Sequence, residues 1–179
     1  MIHSNFQKKI FQQNYSPIVK IAGVKIVDLK YFTDDGGAFL ELARLTESRG
    51  IKEHFPDFKI KQINWSQILP GAIKAGHLHK KQADIWFLPP TDRLLVGLLD
   101  ARAKSKTCGV KMRLILGAGQ ARLLYIPPGV IHGVANLYSR PACLIYLTDQ
   151  EFSADPKLGD EWRAPASVFG QDFWQIQTG

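Results

Sequence analysis

From residue 60 onward the chain is a succession of eight short apolar runs, each ended by a turn, at intervals of roughly ten residues. The runs are IKQINWS (60–66), GAIKAGHLH (71–79), ADIWFLP (83–89), RLLVGLLDA (93–101), VKMRLIL (110–116), ARLLYIP (121–127), IHGVANLY (131–138) and ACLIYLTD (142–149). Each is too short for a core helix and rich in β-formers, so the spacing predicts an all-β antiparallel sandwich or barrel. Pro89-Pro90-Thr91-Asp92, Gly117-Ala118-Gly119 and Pro127-Pro128-Gly129 supply turns, through the fixed φ of proline and the free φ of glycine. Helical signals are sparse. Phe39 to Ser48 (FLELARLTES), closed by Arg49-Gly50, is the best helix candidate, although after Asp34-Asp35-Gly36-Gly37 it can equally begin as a strand. The stretch SADPKLGDEWRAPAS is expected to end the sheet, and VFGQDFW to pack back as a tail. No repeat or flexible linker divides the chain. The expectation is one domain over 1–179, with a strand region at 18–50, a barrel at 60–149 and a tail at 150–179.

With 179 residues and 45% apolar content the chain can bury a core of ordinary size. Its net charge of +7 calls for an anionic partner or a solvated basic surface. The basic residues are scattered, with only short pairs such as Lys8-Lys9 and Lys80-Lys81, so nucleic acid is not the expected partner. No apolar run is long enough for a membrane-spanning helix, and the polar start MIHSNFQKKIFQQNYSP lacks a secretory signal, which predicts a cytoplasmic protein. Cys108 and Cys143 read as buried small apolar residues rather than a disulfide framework. Trp65, Trp86 and Phe87 read first as core, with stacking on a nucleotide base as the alternative.

The histidines carry the chemistry. His77 and His79 stand at i and i+2 in one run, so in a strand both project from the same face. His132 follows a turn in another run. Imidazoles on the inner face of a small barrel define a ligand cavity. Asp84 has three readings: a surface partner of Lys80 or Lys81, a carboxylate that orients His77, or a metal ligand together with His77, His79 and His132.

Pro127-x-Gly129-x-x-His132-x-x-x-Asn136 resembles the second motif of the cupins. Gly71, then His77-x-His79 and Asp84, resembles an altered first motif with Asp in place of Glu. The longer context, from about Val24 to Trp174, resembles the dTDP-4-dehydrorhamnose 3,5-epimerase family through Gln62-Ile63-Asn64-Trp65-Ser66, the 71–82 stretch, Ile126-Pro127-Pro128-Gly129, His132-Gly133 and Thr148-Asp149. The resemblance implies a cupin jelly roll, a homodimer with crossing N-terminal strands, and an anionic nucleotide-sugar substrate whose 4-keto sugar is epimerised by proton abstraction. It implies no cofactor. A metal-binding cupin enzyme with one divalent ion, or a catalytically silent nucleotide-sugar binder, is the alternative.

By the same resemblance His77 is the base, Lys74 contacts the diphosphate, and Gln62 and Asn64 lie near the nucleotide. Phe39 and Glu41 match substrate positions more loosely, and His79 and His132 line the cavity. The family's proton-donating Tyr falls on Ile145, with Tyr146 one residue later. Regular alternation then predicts that Tyr146 faces away from the cavity unless a bulge intervenes. The family's Asp partner for the base lies in a segment that reads Trp162-Arg163-Ala164-Pro165 here, without a carboxylate. Its enolate-side Lys falls on Asp84, and an Arg that binds phosphate falls on Gly36. The resemblance thus marks His77, Asp84 and Tyr146 as the catalytic candidates.

Overall fold

A computed structural model describes residues 2–12 and 19–177. Residue 18, where the strand region was expected to begin, lies outside the described residues. A single helical turn, α1 (Ser4–Gln7), precedes the strands β1 (Lys25–Asp28), β2 (Tyr31–Asp34), β3 (Gly37–Leu40), β4 (Gln62–Ile68), β5 (Ile73–Leu78) and β6 (Asp84–Phe87). They are followed by β7 (Arg93–Asp100), β8 (Lys111–Gly117), β9 (Arg122–Ile126), β10 (Val130–Ala135), β11 (Ala142–Thr148) and β12 (Trp162–Arg163), and by a 3-10 turn at Ala166–Phe169. All eight apolar runs are strands. Together with β1 and β12 they form two antiparallel five-stranded sheets, ordered β1-β9-β6-β11-β4 and β12-β5-β10-β7-β8, with β2 and β3 as a separate hairpin. This is the cupin jelly roll.

The central strands are covered on both faces, which is why their runs read as nearly continuous apolar stretches. Between the sheets lies a core that includes Ile68, Trp86, Leu94, Val96, Leu98, Leu114, Leu124 and Leu144. The outer face of the first sheet packs Ile85, Phe87, Leu123 and Leu147 under Ile51, Phe55, Phe58 and Ile60. The outer face of the second carries Leu95, Ile131 and Ala135 under Phe169 and Trp174, so VFGQDFW does pack back as expected. Gly97 makes room for that tail, because a Cβ there would stand 2.5 Å from the rings of Phe173 and Trp174.

Several expectations are corrected. The segment 39–48 forms no helix: Gly37–Leu40 is a strand paired with Tyr31–Asp34, and Asp34 closes the turn by accepting a bond from the Gly36 N–H at 2.8 Å. The polar stretch after Asp149 does not end the sheet, since Trp162 and Arg163 add an edge strand on Leu78 and His77. Cys108 is exposed and Cys143 half-buried, because Cys108 sits in the turn-rich connection between β7 and β8. Trp65 is exposed on the outer face of β4, while Trp86 and Phe87 are buried as expected.

The β7–β8 connection is anchored by one buried carboxylate. Asp100 accepts bonds from Arg102 Nε at 2.7 Å, Arg102 Nη2 at 2.9 Å, and the Ser105 and Thr107 hydroxyls at 2.6 Å each. Arg102 Nη2 also donates to the Ala22 carbonyl at 2.6 Å, which ties the segment before β1 to the barrel. The guanidinium and the two hydroxyls hold the Asp100 carboxyl far below the ordinary carboxylate range, against the opposing effect of burial. A folded-state pKa below the unfolded value adds stability that is present above about pH 4 and lost as pH falls through the folded value. Asp100→Ala is therefore expected to cost roughly 3 kcal/mol at pH 7 in urea unfolding, and the gap from wild type should narrow as pH drops from about 4 to 2.

Candidate active site

The cavity opens between the two sheets, where the interior residues change from apolar to polar, and has a volume of about 780 Å³. Its lining follows the two-residue period of strands. β4 contributes Gln62, Asn64 and Ser66; β6 contributes Asp84 and Trp86; β11 contributes Leu144, Tyr146 and Thr148. Strand β5 breaks the period. Its pairing with β10 runs His132↔His77 and then Gly133↔Ala75, so Gly76 is an extra, bulged residue with φ +84°. The bulge lets Lys74 and His77, three apart, both line the cavity while Ala75 packs on the outer face. Only glycine suits the position. A Cβ on Gly76 would stand 1.8 Å from the Ala164 carbonyl oxygen, and the Gly76 carbonyl accepts the Ala164 N–H at 2.7 Å.

That close approach delivers the segment where the resemblance looks for the partner of His77, with a carboxylate one residue before Trp162 that the sequence reading missed. Asp160 and Glu161 precede β12, and Glu161 and Arg163, two apart, both line the cavity. The Asp160 carboxylate accepts the N–H groups of Lys80, Lys81 and Gln82 at 3.0, 2.6 and 2.9 Å, clamping the segment to the end of β5. Burial works to raise the Asp160 pKa, but these three bonds together lower it. His77 Nδ1 is 2.8 Å from Glu161 Oε1, and Arg163 Nη1 donates to His77 Nε2 at 2.7 Å. Arginine offers only donors, so Nε2 presents its lone pair and the ring proton sits on Nδ1, donated to Glu161. The bond from His77 is the main cause that holds the Glu161 carboxyl below its ordinary pKa.

The carboxylate expected for His77 is thus Glu161. Among the described residues Asp84 makes no hydrogen bond to His77, and it does not lie on the surface with Lys80 or Lys81. It is 3% exposed and accepts bonds from Gln82 Nε2 at 2.7 Å and Trp86 Nε1 at 3.1 Å. Beside it stand the buried imidazoles of His79 and His132. The metal-like group expected over four residues is brought together over three, His79, Asp84 and His132, without His77. Burial is the largest cause lowering the His132 pKa to about 4, partly opposed by Asp84. The His77 and His132 rings stack at 5.9 Å between centroids.

Tyr146 faces the cavity, contrary to expectation, and Ile145 packs into the outer cluster with Ile85 and Phe87. Strand β11 pairs with β4 and β6 in unbroken register, so no bulge is involved. Burial raises the Tyr146 pKa, aided by the charges of Asp84 and Glu161, so the phenol keeps its proton at neutral pH.

The remaining candidates divide. Gln62, Asn64, Lys74, His79 and His132 line the cavity. Gln62 Nε2 donates to Asn64 Oδ1 at 2.6 Å, and Lys74 Nζ donates to the Gln67 carbonyl at 2.9 Å and to Ser66 Oγ at 3.3 Å. Phe39 and Glu41 are outside it. Phe39 is 67% exposed on the β2–β3 hairpin, and Glu41 pairs with Arg44 at 2.7 Å beside a separate shallow recess.

Two antiparallel five-stranded sheets that close on a cavity lined by imidazole, carboxylate and phenol groups have the architecture of a cupin. A family model described as dTDP-4-dehydrorhamnose 3,5-epimerase matches residues 18–170, and the chain belongs to that family. It is 41% identical over 145 residues to the Spore coat polysaccharide biosynthesis protein SpsL of Bacillus subtilis (strain 168), covering 81% of this chain and 89% of that protein. The crystal structure of a dTDP sugar isomerase from Desulfovibrio desulfuricans G20 is similar at 27% identity and a TM-score of 0.71, covering 88% of this chain and 94% of that one. A dTDP-4-dehydrorhamnose 3,5-epimerase from Sulfolobus tokodaii is similar at 26% identity and a TM-score of 0.70, covering 90% and 86%.

The bulge is open to a direct test. Gly76→Ala is expected to push Ala164 outward and to cost roughly 1–3 kcal/mol through the positive φ. In ¹⁵N-detected imidazole NMR, the Nδ1–H signal of His77 bonded to Glu161 should be lost in the variant and present in the parent protein.

Proposed function

We propose that this chain is a nucleotide-sugar epimerase acting on a 4-keto-6-deoxyhexose joined to a nucleoside diphosphate. The observation that carries this is the state of His77: a neutral ring with Nδ1–H held by Glu161 and its Nε2 lone pair on the cavity side. Such a base takes the acidic C–H proton alpha to the ketone, and the electron pair moves onto the carbonyl oxygen as an enolate. Glu161 stabilises the imidazolium that forms. Arg163 covers Nε2 in this structure, so the sugar has to displace its guanidinium, which is 58% exposed and free to swing toward an anionic substrate. Tyr146, kept protonated by burial, returns a proton to the other face of the enolate and regains its own from water.

Lys74 and Arg163 are the cations proposed for the diphosphate, with Lys74 a point charge and Arg163 a fork. Gln62 and Asn64 are proposed to meet the nucleotide, and His79 and His132 to line the sugar end. The proton transfers themselves call for no organic or redox cofactor. Residues 1–179 are read as one cupin domain, because β1 pairs with β9 and the tail packs on the second sheet. A cytoplasmic location suits two free thiols, and no helix among the described residues is long and apolar enough to cross a membrane.

Solvent exchange tests the chemistry. In D2O, wild type should incorporate deuterium alpha to the ketone of a dTDP-4-keto-6-deoxyhexose. His77→Asn should slow this by about 10²–10⁴-fold. Tyr146→Phe should keep exchange at the carbon that His77 deprotonates but lose inversion there. Binding without exchange in wild type would remove the epimerase reading and leave a silent nucleotide-sugar binder, whereas undiminished exchange in His77→Asn would remove His77 from the role of base.

A homodimer is proposed from the hairpin. Phe32 and Phe39 are cross-strand partners, 59% and 67% exposed, and Tyr31 beside them is 38% exposed. An aromatic pair on a two-stranded ribbon needs a covering surface. Crossing of the hairpin into a second copy supplies one, and brings Phe39 and Glu41 to the partner's cavity. Phe32→Ser/Phe39→Ser should shift the protein from dimer to monomer in analytical ultracentrifugation, with the barrel's far-UV spectrum unchanged.

A further inference from the structure

We propose that residues 164–174 are a strap whose docking sets Glu161 and Arg163 on His77, with Phe169 and Trp174 as its positioning residues. The placement stands on the geometry of the second sheet, and only its effect on turnover rests on the epimerase reading. Strand β12 has little of its own to hold it. Trp162 pairs with Leu78 and Arg163 with His77, and the Ala164 N–H then donates to the Gly76 carbonyl at 2.7 Å. Ordering a segment costs backbone entropy at every residue, and so short a pairing offsets little of it. Upstream, Asp160 anchors the segment through the amides of Lys80, Lys81 and Gln82. Downstream, the strap is the second anchor.

Ala164 and Pro165 alone separate β12 from the 3-10 turn that carries Phe169. Phe169 and Trp174 are buried, and with Phe173 they form a triad of rings whose centroids are 4.9, 4.9 and 5.0 Å apart. Arg113 on β8 holds the far end of the strap, donating from Nε to the Phe173 carbonyl at 3.1 Å and from Nη2 to the Gln175 carbonyl at 2.7 Å. The same apolar cluster takes in Ala75, Leu78 and Ala164. Ala75 and Leu78 are the outward residues of the bulged strand that presents Lys74 and His77 to the cavity. The rings therefore brace the back of the bulge and the end of β12 at once. Trp174 Nε1 meets no acceptor among the described residues, so the indole acts through its apolar faces. The matched family segment stops at residue 170, short of Phe173 and Trp174.

Strap and edge strand thus open as one unit. Undocking the rings removes the support behind Ala164, and with it the register that puts Glu161 Oε1 at 2.8 Å from His77 Nδ1 and Arg163 Nη1 at 2.7 Å from Nε2. The rest of the sheet stays, since β5, β10, β7 and β8 pair without β12. A local opening of this kind lies below global unfolding in free energy.

Native-state hydrogen exchange of the full wild-type chain in low urea tests the unit and needs no variant to fold. The Ala164 and Gly170 amides should open together, at lower urea than the amides of β7 and β10. Phe169→Ala/Trp174→Ala should leave the Ala164 amide with little protection while β7 and β10 remain protected, and should remove the His77 Nδ1–H signal in imidazole ¹⁵N NMR. Gly97→Val presses on the rings of Phe173 and Trp174 from β7, touches nothing that lines the cavity, and should act like the double variant. Trp174→Phe should keep both signals. The kcat for deuterium incorporation into a dTDP-4-keto-6-deoxyhexose should fall by roughly tenfold or more in the double variant and be kept in Trp174→Phe. An Ala164 amide that opens independently of Gly170, or a His77 signal that survives release of the strap, would overturn the proposal. A wild type without deuterium incorporation removes the epimerase reading instead, and the amide and imidazole signals still decide the strap.

Discussion

The site depends on one backbone contact, the approach of Ala164 to Gly76. The N–H of Ala164 bonds to the Gly76 carbonyl at 2.7 Å, and its own carbonyl occupies the space where any other residue at position 76 would carry a Cβ. Because Gly76 is also the bulged residue of β5, the same glycine turns Lys74 and His77 to one face and opens the edge on which β12 pairs. Without it the second sheet would still form through β5, β10, β7 and β8, but its edge would carry no carboxylate. Fold and site are therefore separable in energy. The barrel rests on its apolar clusters, whereas the contacts of His77 rest on a two-residue strand clamped by Asp160.

Most of the fold was legible because it is written in patterns that local rules decode. Eight runs of β-forming residues between Pro and Gly turns gave eight strands, and the tail's aromatics found the sheet they were expected to cover. The failures have physical causes. Phe39 to Ser48 carries helix-forming residues, but its first residues are claimed by the Asp34-Asp35-Gly36-Gly37 turn, which fixes a hairpin before a helix can nucleate. Edge strand β12 is two residues long, so it has no periodicity to read. Glu161 meets His77 only because its segment adds to β5, eighty-four residues away in the chain.

The error at Tyr146 is of a different kind. Alternation along β11 was applied correctly, and Leu144, Tyr146 and Thr148 do share a face. What failed was the starting phase, taken from the family's tyrosine position, which falls on Ile145 in this chain. A one-residue slip exchanges the two faces of a strand completely. The apolar pattern held the better phase. Ile145 and Leu147 belong with Ile85 and Phe87 in the outer cluster, and only Tyr146 and Thr148 on the other face carry polar groups for a cavity.

The three histidines show how one strand period can serve two environments. His77 and His79 point the same way from β5, yet His79 is 6% exposed and its side chain meets a backbone carbonyl, while the His77 side chain is 27% exposed and meets a carboxylate and a guanidinium. His132 closes the pair from the neighbouring strand, stacked on one and tilted against the other. The rim thus holds an imidazole that both solvent and Arg163 reach. The interior holds nitrogen and oxygen atoms that water reaches poorly and that, among the described residues, no side-chain ammonium or guanidinium neutralises. Proton transfer at the rim needs mobility and access, and charge compensation in the interior needs rigidity. Placing the two one strand period apart lets the Asp160 clamp, which fixes His79 through its carbonyl and β12 through its chain, hold both in register.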